Sequence, residues 1–310
     1  MRARRLYSCV LFGSVVAAMF FGGVATATFN PEMQDLVFTA KRETRVLFGL
    51  PKAWVPLVPA AVEDHRVEVS CPDPKDAAFV VTGGQSNAAN SNSSSYVTRS
   101  SHQVVELYHG QCFVHADPVL GATGTRGSLW VEFGDRLAEE IDRDVVFVHT
   151  AIGGTQFSDW NDDRSTYFAA FRDRIIDADK AGFSAPIILW HQGETDAGLT
   201  SDFAQFKVDV ETLLQRMLDL SPGASIYLFE ASRCIGGARQ NGVTAITDSL
   251  HEVADHMEDV TPGLNTDILD ADYRSDGCHF NSLGRHFIAE AAAPEVAEMI
   301  LTRTQVVASR

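Results

Sequence analysis

A three-layer α/β sandwich, with a central, mostly parallel sheet and helices on both faces, is the fold class this sequence predicts. Three observations predict it. The apolar runs "AAFVVT" (77–82), "DVVFVHT" (144–150), "PIILWHQ" (186–192) and "SIYLFEA" (225–231) are short, β-branched and almost unalternated, as strands buried on both faces are. Stretches with helical periodicity lie between and after them, and alternation of the two element types implies parallel strands with helical crossovers. Each run also ends in residues that carry chemistry: "GGQSN", "TAIGGTQFSDW", "WHQGETD" and "EASRC". In parallel α/β sheets, ligands gather at the carboxyl ends of the strands.

The helices follow from spacing. "SLWVEFGDRLAEEI" (128–141) sets Leu129, Phe133 and Leu137 on one face, and "DFAQFKVDVETLLQRMLDL" (202–220) repeats apolar residues at three and four. "SLGRHFIAEAAAPEVAEMI" (282–300) does the same, with a kink expected at Pro294. The polar segment "ANSNSSSYVTRSS" (89–101) follows the first run and reads as a mobile loop beside the site. Within it, "NSS" at Asn92 matches an N-glycosylation acceptor, a match expected by chance.

The chain has 310 residues, 45% of them hydrophobic and 21% charged, enough for one large domain. Residues 1–27 stand apart: a basic "MRARR", an apolar run and a small-residue "ATA" read as a signal peptide cleaved after Ala27. Residues 28–76 form an N-terminal extension expected to pack on the domain, residues 77–310. "MQDLVFTAKRETRVLFGL" is compatible with a helix there, and "PKAWVPLVPAAV" is too Pro-rich to be one throughout. The reading places the mature protein outside the cell or in a periplasm, with no membrane association beyond an uncleaved leader. Loss of the leader's arginines takes the formal charge from −16 to −19, which argues against nucleic acid as a partner.

Four cysteines remain after the leader: Cys71, Cys112, Cys234 and Cys278. In an exported chain they imply two disulfides with three possible connectivities. No C-x-x-C or H-E-x-x-H motif occurs, so neither a metal nor another cofactor is expected.

The chemistry turns on Ser86 in "GGQSN". A serine hydroxyl needs a base to act as a nucleophile, and the usual base is a histidine oriented by a carboxylate. "SDGCHFN" supplies both, with Asp276 three residues before His279. The developing oxyanion needs donors already aimed at it. The Ser86 N–H, the Gly154 N–H in "IGGT" and the Gln192 amide in "HQGE" are the candidates. His149 and His191 also stand at strand ends, and both read as wall or core residues. Trp190 reads as core. Trp160, in a polar loop, is a candidate for sugar stacking. Arg233 is a candidate partner for a sugar carboxylate, or for a nearby Asp or Glu in a structural salt bridge.

The ordered set "GGQSN", "AIGGTQFSDW", "WHQGETD" and "DGCHFN" resembles the SGNH-hydrolase superfamily, and more closely its carbohydrate-esterase branch of sialate O-acetylesterase-like and acetylxylan-esterase-like domains. The resemblance covers roughly residues 77–302 and implies an SGNH/flavodoxin-like sandwich. It implies that Ser86 is the nucleophile, that Asp276 and His279 complete a triad, and that Gly154 and Gln192 are oxyanion donors. The superfamily at large has Asn where this chain has Gln192, and Gln favours the carbohydrate-esterase branch. Glu194 fits that branch too and is expected to hydrogen-bond loops near the site. The implied activity is removal of O-acetyl groups from a carbohydrate through an acyl-enzyme. Two alternatives stand beside it: a glycan O-acetyltransferase using the same triad, and a non-catalytic glycan-binding module on the same fold.

The same topology suggests the cysteine pairing. Cys234 follows the run "SIYLFEA", whose carboxyl end should face the loop that carries Cys278, so Cys234–Cys278 is expected. Cys71 and Cys112 flank the first run and are left as the other pair.

Overall fold

A computed structural model describes residues 66–162, 166–234 and 242–308. The leader and most of the extension, residues 1–65, lie outside the described residues.

Among the described residues, eight strands form one sheet: β1 (Glu68–Val69), β2 (Ala78–Gly84), β3 (Val104–Tyr108), β4 (Gln111–Val114), β5 (Val145–His149), β6 (Ile187–Gln192), β7 (Ser225–Glu230) and β8 (Val260–Asn265). Their order is β1-β4-β3-β5-β2-β6-β7-β8. From β3 to β8 every pairing is parallel, whereas β4 and β1 add antiparallel pairings at one edge. The four runs that predicted strands are the central ones, β5, β2, β6 and β7.

Their lack of alternation has a direct cause, which is that both faces are covered. Phe79 and Val81 of β2, Val146 and Val148 of β5, and Ile188 and Trp190 of β6 point into one core. There they meet α2 (Phe157–Asn161), α3 (Tyr167–Lys180), α5 (Phe203–Leu220) and α6 (Thr244–His256). Ala78, Val80, Val145, Phe147, Ile187 and Leu189 point the other way, onto α1 (Trp130–Ile141) and α7 (Ser282–Ala308). The short α4 (Glu194–Leu199) follows β6 directly. Pro294 stands inside α7 without ending it. No described helix is long and apolar enough to cross a membrane.

The chain moves outward from β2 through β3 and β4, returns to β5 on one side of β2, and then crosses to β6 on the other. The carboxyl end of β2 is therefore the switch point of the sheet, where a crevice opens between diverging crossovers. "GGQSN" sits at that end, flanked by "IGGT" after β5 and "HQGE" after β6. The two glycines permit it. Gly83 and Gly84 pair with Trp190 and His191 of β6. A Cβ on Gly83 would run into the Trp190 ring, and one on Gly84 into the His191 carbonyl. Gly84 also has φ of 122°, a value L side chains rarely adopt.

The last part of the extension joins the domain. Glu68 and Val69 pair with Phe113 and Cys112, and a disulfide links Cys71 to Cys112. Arg66 Nη1 meets Glu106 Oε1 at 2.7 Å beneath the sheet edge.

Candidate active site

Ser86 opens a short 3-10 turn, Ser86–Ala88. Its two neighbours are buried and pinned to the end of β6. The Gln85 N–H donates to the His191 carbonyl at 3.1 Å, and Gln85 Oε1 accepts from the Thr195 N–H at 3.0 Å. Asn87 Nδ2 donates to Glu194 Oε1 at 2.7 Å. Ser86, held between them, remains half-exposed.

Asn87 also spans 191 residues of sequence to reach the histidine loop. Its Nδ2 donates to the Cys278 carbonyl at 3.2 Å, and its Oδ1 accepts from the Phe280 N–H at 3.3 Å. Cys278 and Phe280 are the residues on either side of His279, so one amide next to Ser86 holds both flanks of the candidate base.

Within that loop Asp276 accepts three hydrogen bonds: from the Cys278 N–H at 3.0 Å, the His279 N–H at 2.7 Å and the His279 ring Nδ1–H at 2.8 Å. Burial pushes the Asp276 carboxyl up, but the His279 ring and these backbone donors outweigh it and bring it down to about 2. With the carboxylate accepting at Nδ1, the neutral tautomer of the ring presents Nε2 as its acceptor nitrogen. A disulfide joins Cys278 to Cys234, just past β7. Both expected pairings are thus present.

The loop after β5 closes the other side. A Cβ built on Gly153 would lie 3.5 Å from the Ser86 Cβ, and the Gly153 N–H donates to Thr123 Oγ1 at 2.8 Å. Gly154 has φ of 75°. Among the described residues, the N–H groups of Ser86 and Gly154 have no acceptor. Gln192 is fully buried, and its Nε2 donates to the Thr155 carbonyl at 3.2 Å. The amide therefore lies against the same loop, one residue past Gly154.

Glu194 is buried, and it hydrogen-bonds the Ser86 turn through Asn87. Burial raises its pKa to about 6, with the Asn87 bond opposing. His149 and His191 are core residues. His149 bonds Thr82 Oγ1 at 2.8 Å and His115 Nε2 at 3.1 Å. His191 Nε2 meets Thr266 Oγ1 at 3.0 Å. Burial lowers the His191 pKa to about 3 and holds His149 well below the ordinary range, so both rings are neutral walls.

Two expectations need correction. Trp160 is no stacking platform. It is fully buried, packs edge-on against Trp190 at 4.9 Å between centroids and donates from Nε1 to Thr155 Oγ1. The polar letters around it belong to α2, which turns the indole inward. The serine-rich loop lies beside the site, as expected, but it is stitched down rather than hanging free. The Ser93 N–H donates to the Phe280 carbonyl, and Arg285 Nη1 donates to the Ser94 carbonyl. Asn92 within it is buried and pairs through its backbone with Gly127.

Arg233 is half-exposed beside the Cys234–Cys278 bond. Its Nη1 donates to the Asp267 carbonyl oxygen at 3.0 Å, while the Asp267 carboxylate takes the backbone N–H groups of Ser232 and Arg233. Sequence reasoning missed Asn87 and Thr123. Asn87 closes the "GGQSN" block and Thr123 lies in no block, and each shows its role only through partners far along the chain.

The disulfide yields a prediction. It closes a span of 44 residues, for which loop entropy contributes about 4 kcal/mol at most. A Cys234→Ser/Cys278→Ser variant should lose no more stability than that, and kcat should fall about tenfold or more at temperatures where it remains folded. Melting curves and kcat measured together check this. Full kcat in the folded variant would show that hydrogen bonds alone hold the loop.

Comparisons with known proteins agree with the fold. A family profile for carbohydrate esterases described as sialic acid-specific acetylesterases matches residues 76–293. A protein of known structure from Arabidopsis thaliana superposes with a TM-score of 0.57 at 15% identity, covering 72% of this chain and 98% of that one. NanS superposes with a TM-score of 0.52 at 15% identity, covering 74% and 98%. At such identity the two structures speak to the fold alone. No curated protein matches in sequence. With the profile covering more than half of the chain, this protein belongs to the carbohydrate-esterase family of sialic acid-specific acetylesterases, an SGNH-type α/β hydrolase domain.

Proposed function

We propose that this protein is an exported serine esterase that removes O-acetyl groups from a carbohydrate through an acyl-enzyme. The observation that carries the reading is the Asn87 side chain, which ties the Ser86 turn to both neighbours of His279. Ser86 Oγ attacks the acetyl carbonyl carbon as His279 Nε2 takes its proton. Asp276 holds the ring tautomer and faces the imidazolium as it forms. The N–H groups of Ser86 and Gly154, with the Gln192 amide, are the proposed donors for the oxyanion. On collapse the bond to the sugar oxygen breaks, and His279 returns the proton to that oxygen. Water then attacks the acyl-enzyme by the same route and releases acetate.

The two disulfides support an oxidising compartment, secreted or periplasmic, and the basic, apolar and small-residue pattern of residues 1–27 supports removal of a leader after Ala27. Arg233, half-exposed beside the Cys234–Cys278 bond, is the proposed partner for the carboxylate of an acidic sugar.

The test is acetate release, with no acceptor sugar added, from acetylated xylan, pectin, sialic acid and peptidoglycan. Labelling by a serine-directed fluorophosphonate runs beside it. Acetate release and label on Ser86 are expected. Acetyl transfer with no free acetate would make the protein a transferase, and no label on Ser86 would remove the serine mechanism.

Gln192→Ala should lower kcat about 10²–10³-fold, with a smaller change in KM, because the donor meets charge that develops only in the transition state. Steady-state kinetics on p-nitrophenyl acetate separate the two, and a pure KM effect would make Gln192 a substrate-positioning residue.

A further inference from the structure

We infer that Arg274 is a positioning residue for this esterase, locking the histidine loop onto the ends of β7 and β8 so that His279 stays in register with Ser86. The inference rests on the serine-esterase reading above. Arg274 is 5% exposed, and its guanidinium is spent on main-chain carbonyls. Nε donates to Leu269 O at 3.0 Å and Nη2 to Thr266 O at 3.0 Å, both beyond β8. Nη1 donates to Arg233 O at 3.3 Å, beyond β7, and to Cys278 O in the histidine loop. The guanidinium carbon also stands 4.4 Å from the centre of the Phe280 ring.

The planar fork thus grips the residue before His279 through its carbonyl and the residue after it through its ring. It connects them to the segments that follow β7 and β8. Arg274 and Phe280 also form the stem of the loop, an antiparallel bridge that the Ser275 N–H to His279 O bond, 2.8 Å, tightens. A fixed fork of five donors on the rim of a flat cation suits this task. A lysine, a point charge on a flexible stem, cannot reach carbonyls on opposite sides and stack at once. Burial of the cation is costly, lowering its pKa to about 10 against the pull of Glu194, Asp267 and Asp276. Asn87 and the Cys234–Cys278 bond remain as separate tethers. Loss of Arg274 should therefore loosen the loop more than it unfolds the domain.

The experiment compares the full chain with Arg274→Lys and Arg274→Gln. Active sites are counted by fluorophosphonate labelling, and kcat and KM for p-nitrophenyl acetate are measured beside melting curves and a Ser86→Ala control. The expected result is a kcat per labelled site lower by about 10–10²-fold in both variants. KM should stay within about threefold, and Arg274→Lys should give no recovery. Normal kcat per labelled site in either variant would overturn the inference, as would failure of both to fold, which would make Arg274 a folding residue. Turnover that survives Ser86→Ala would instead overturn the serine-esterase reading itself.

Discussion

Ser86→Ala is expected to give a folded protein with almost no esterase turnover. The substitution removes one oxygen from a half-exposed side chain whose neighbours, Gln85 and Asn87, supply the buried anchoring of the turn. Stability should move by no more than about 0.5 kcal/mol, the range for sites without a buried partner. Activity should fall on the order of 10⁶-fold, because a triad without its nucleophile keeps only the oxyanion donors and binding. The checks are hydrolysis of p-nitrophenyl acetate and a melting curve on the same preparation. Near-normal turnover would remove Ser86 from the chemistry.

Asp276→Asn should be the next most damaging change, lowering kcat about 10³–10⁴-fold with KM little affected. The carboxylate does two jobs here. Its Oδ1 accepts the N–H groups of Cys278 and His279, and its Oδ2 accepts the ring Nδ1–H. An asparagine can keep the first with its carbonyl oxygen, so the loop stays folded. Its amide nitrogen then faces Nδ1 and donates to it. That selects the tautomer with the proton on Nε2, which cannot accept a proton from Ser86.

The pKa of Asp276 has a matching consequence for stability. A carboxyl held at about 2 in the folded chain contributes stability that is present above its ordinary value of 3.8 and is lost as pH falls through 2. That acid-side contribution should vanish in the asparagine variant, as acid titration of the melting temperature would show. Activity within tenfold of wild type would make Asp276 only a backbone acceptor.

The central strands were legible because burial on both faces leaves a continuous apolar run, which survives without any alignment of contacts. The edge of the sheet was not. β8 reads "VTPGLN", and proline and glycine argue against a strand. Among the described residues it is the last strand of the sheet, and on its outer edge a missing N–H costs no ladder bond. β3 and β4 form a hairpin through His109 and Gly110, both at positive φ. The "YHG" sequence carries little of the usual turn signal. Trp160 misled for a related reason: polar neighbours in sequence say nothing about which way a short helix faces.

By itself the sequence determined which chemical groups exist, in what order they come and on which strand ends they fall. Those follow from local composition: a run ending in "GGQSN", a carboxylate three residues before a histidine, and cysteines placed around both. Only the tertiary structure decided which distant groups restrain them. Asn87 meets Glu194 and Cys278 over 107 and 191 residues of separation, and Thr123 meets Gly153 over 30. Single hydrogen bonds between loops have no periodicity and no preferred spacing. They are set by where the crossovers of the sheet bring backbone carbonyls and amides within about 3 Å, which is a property of the packed chain.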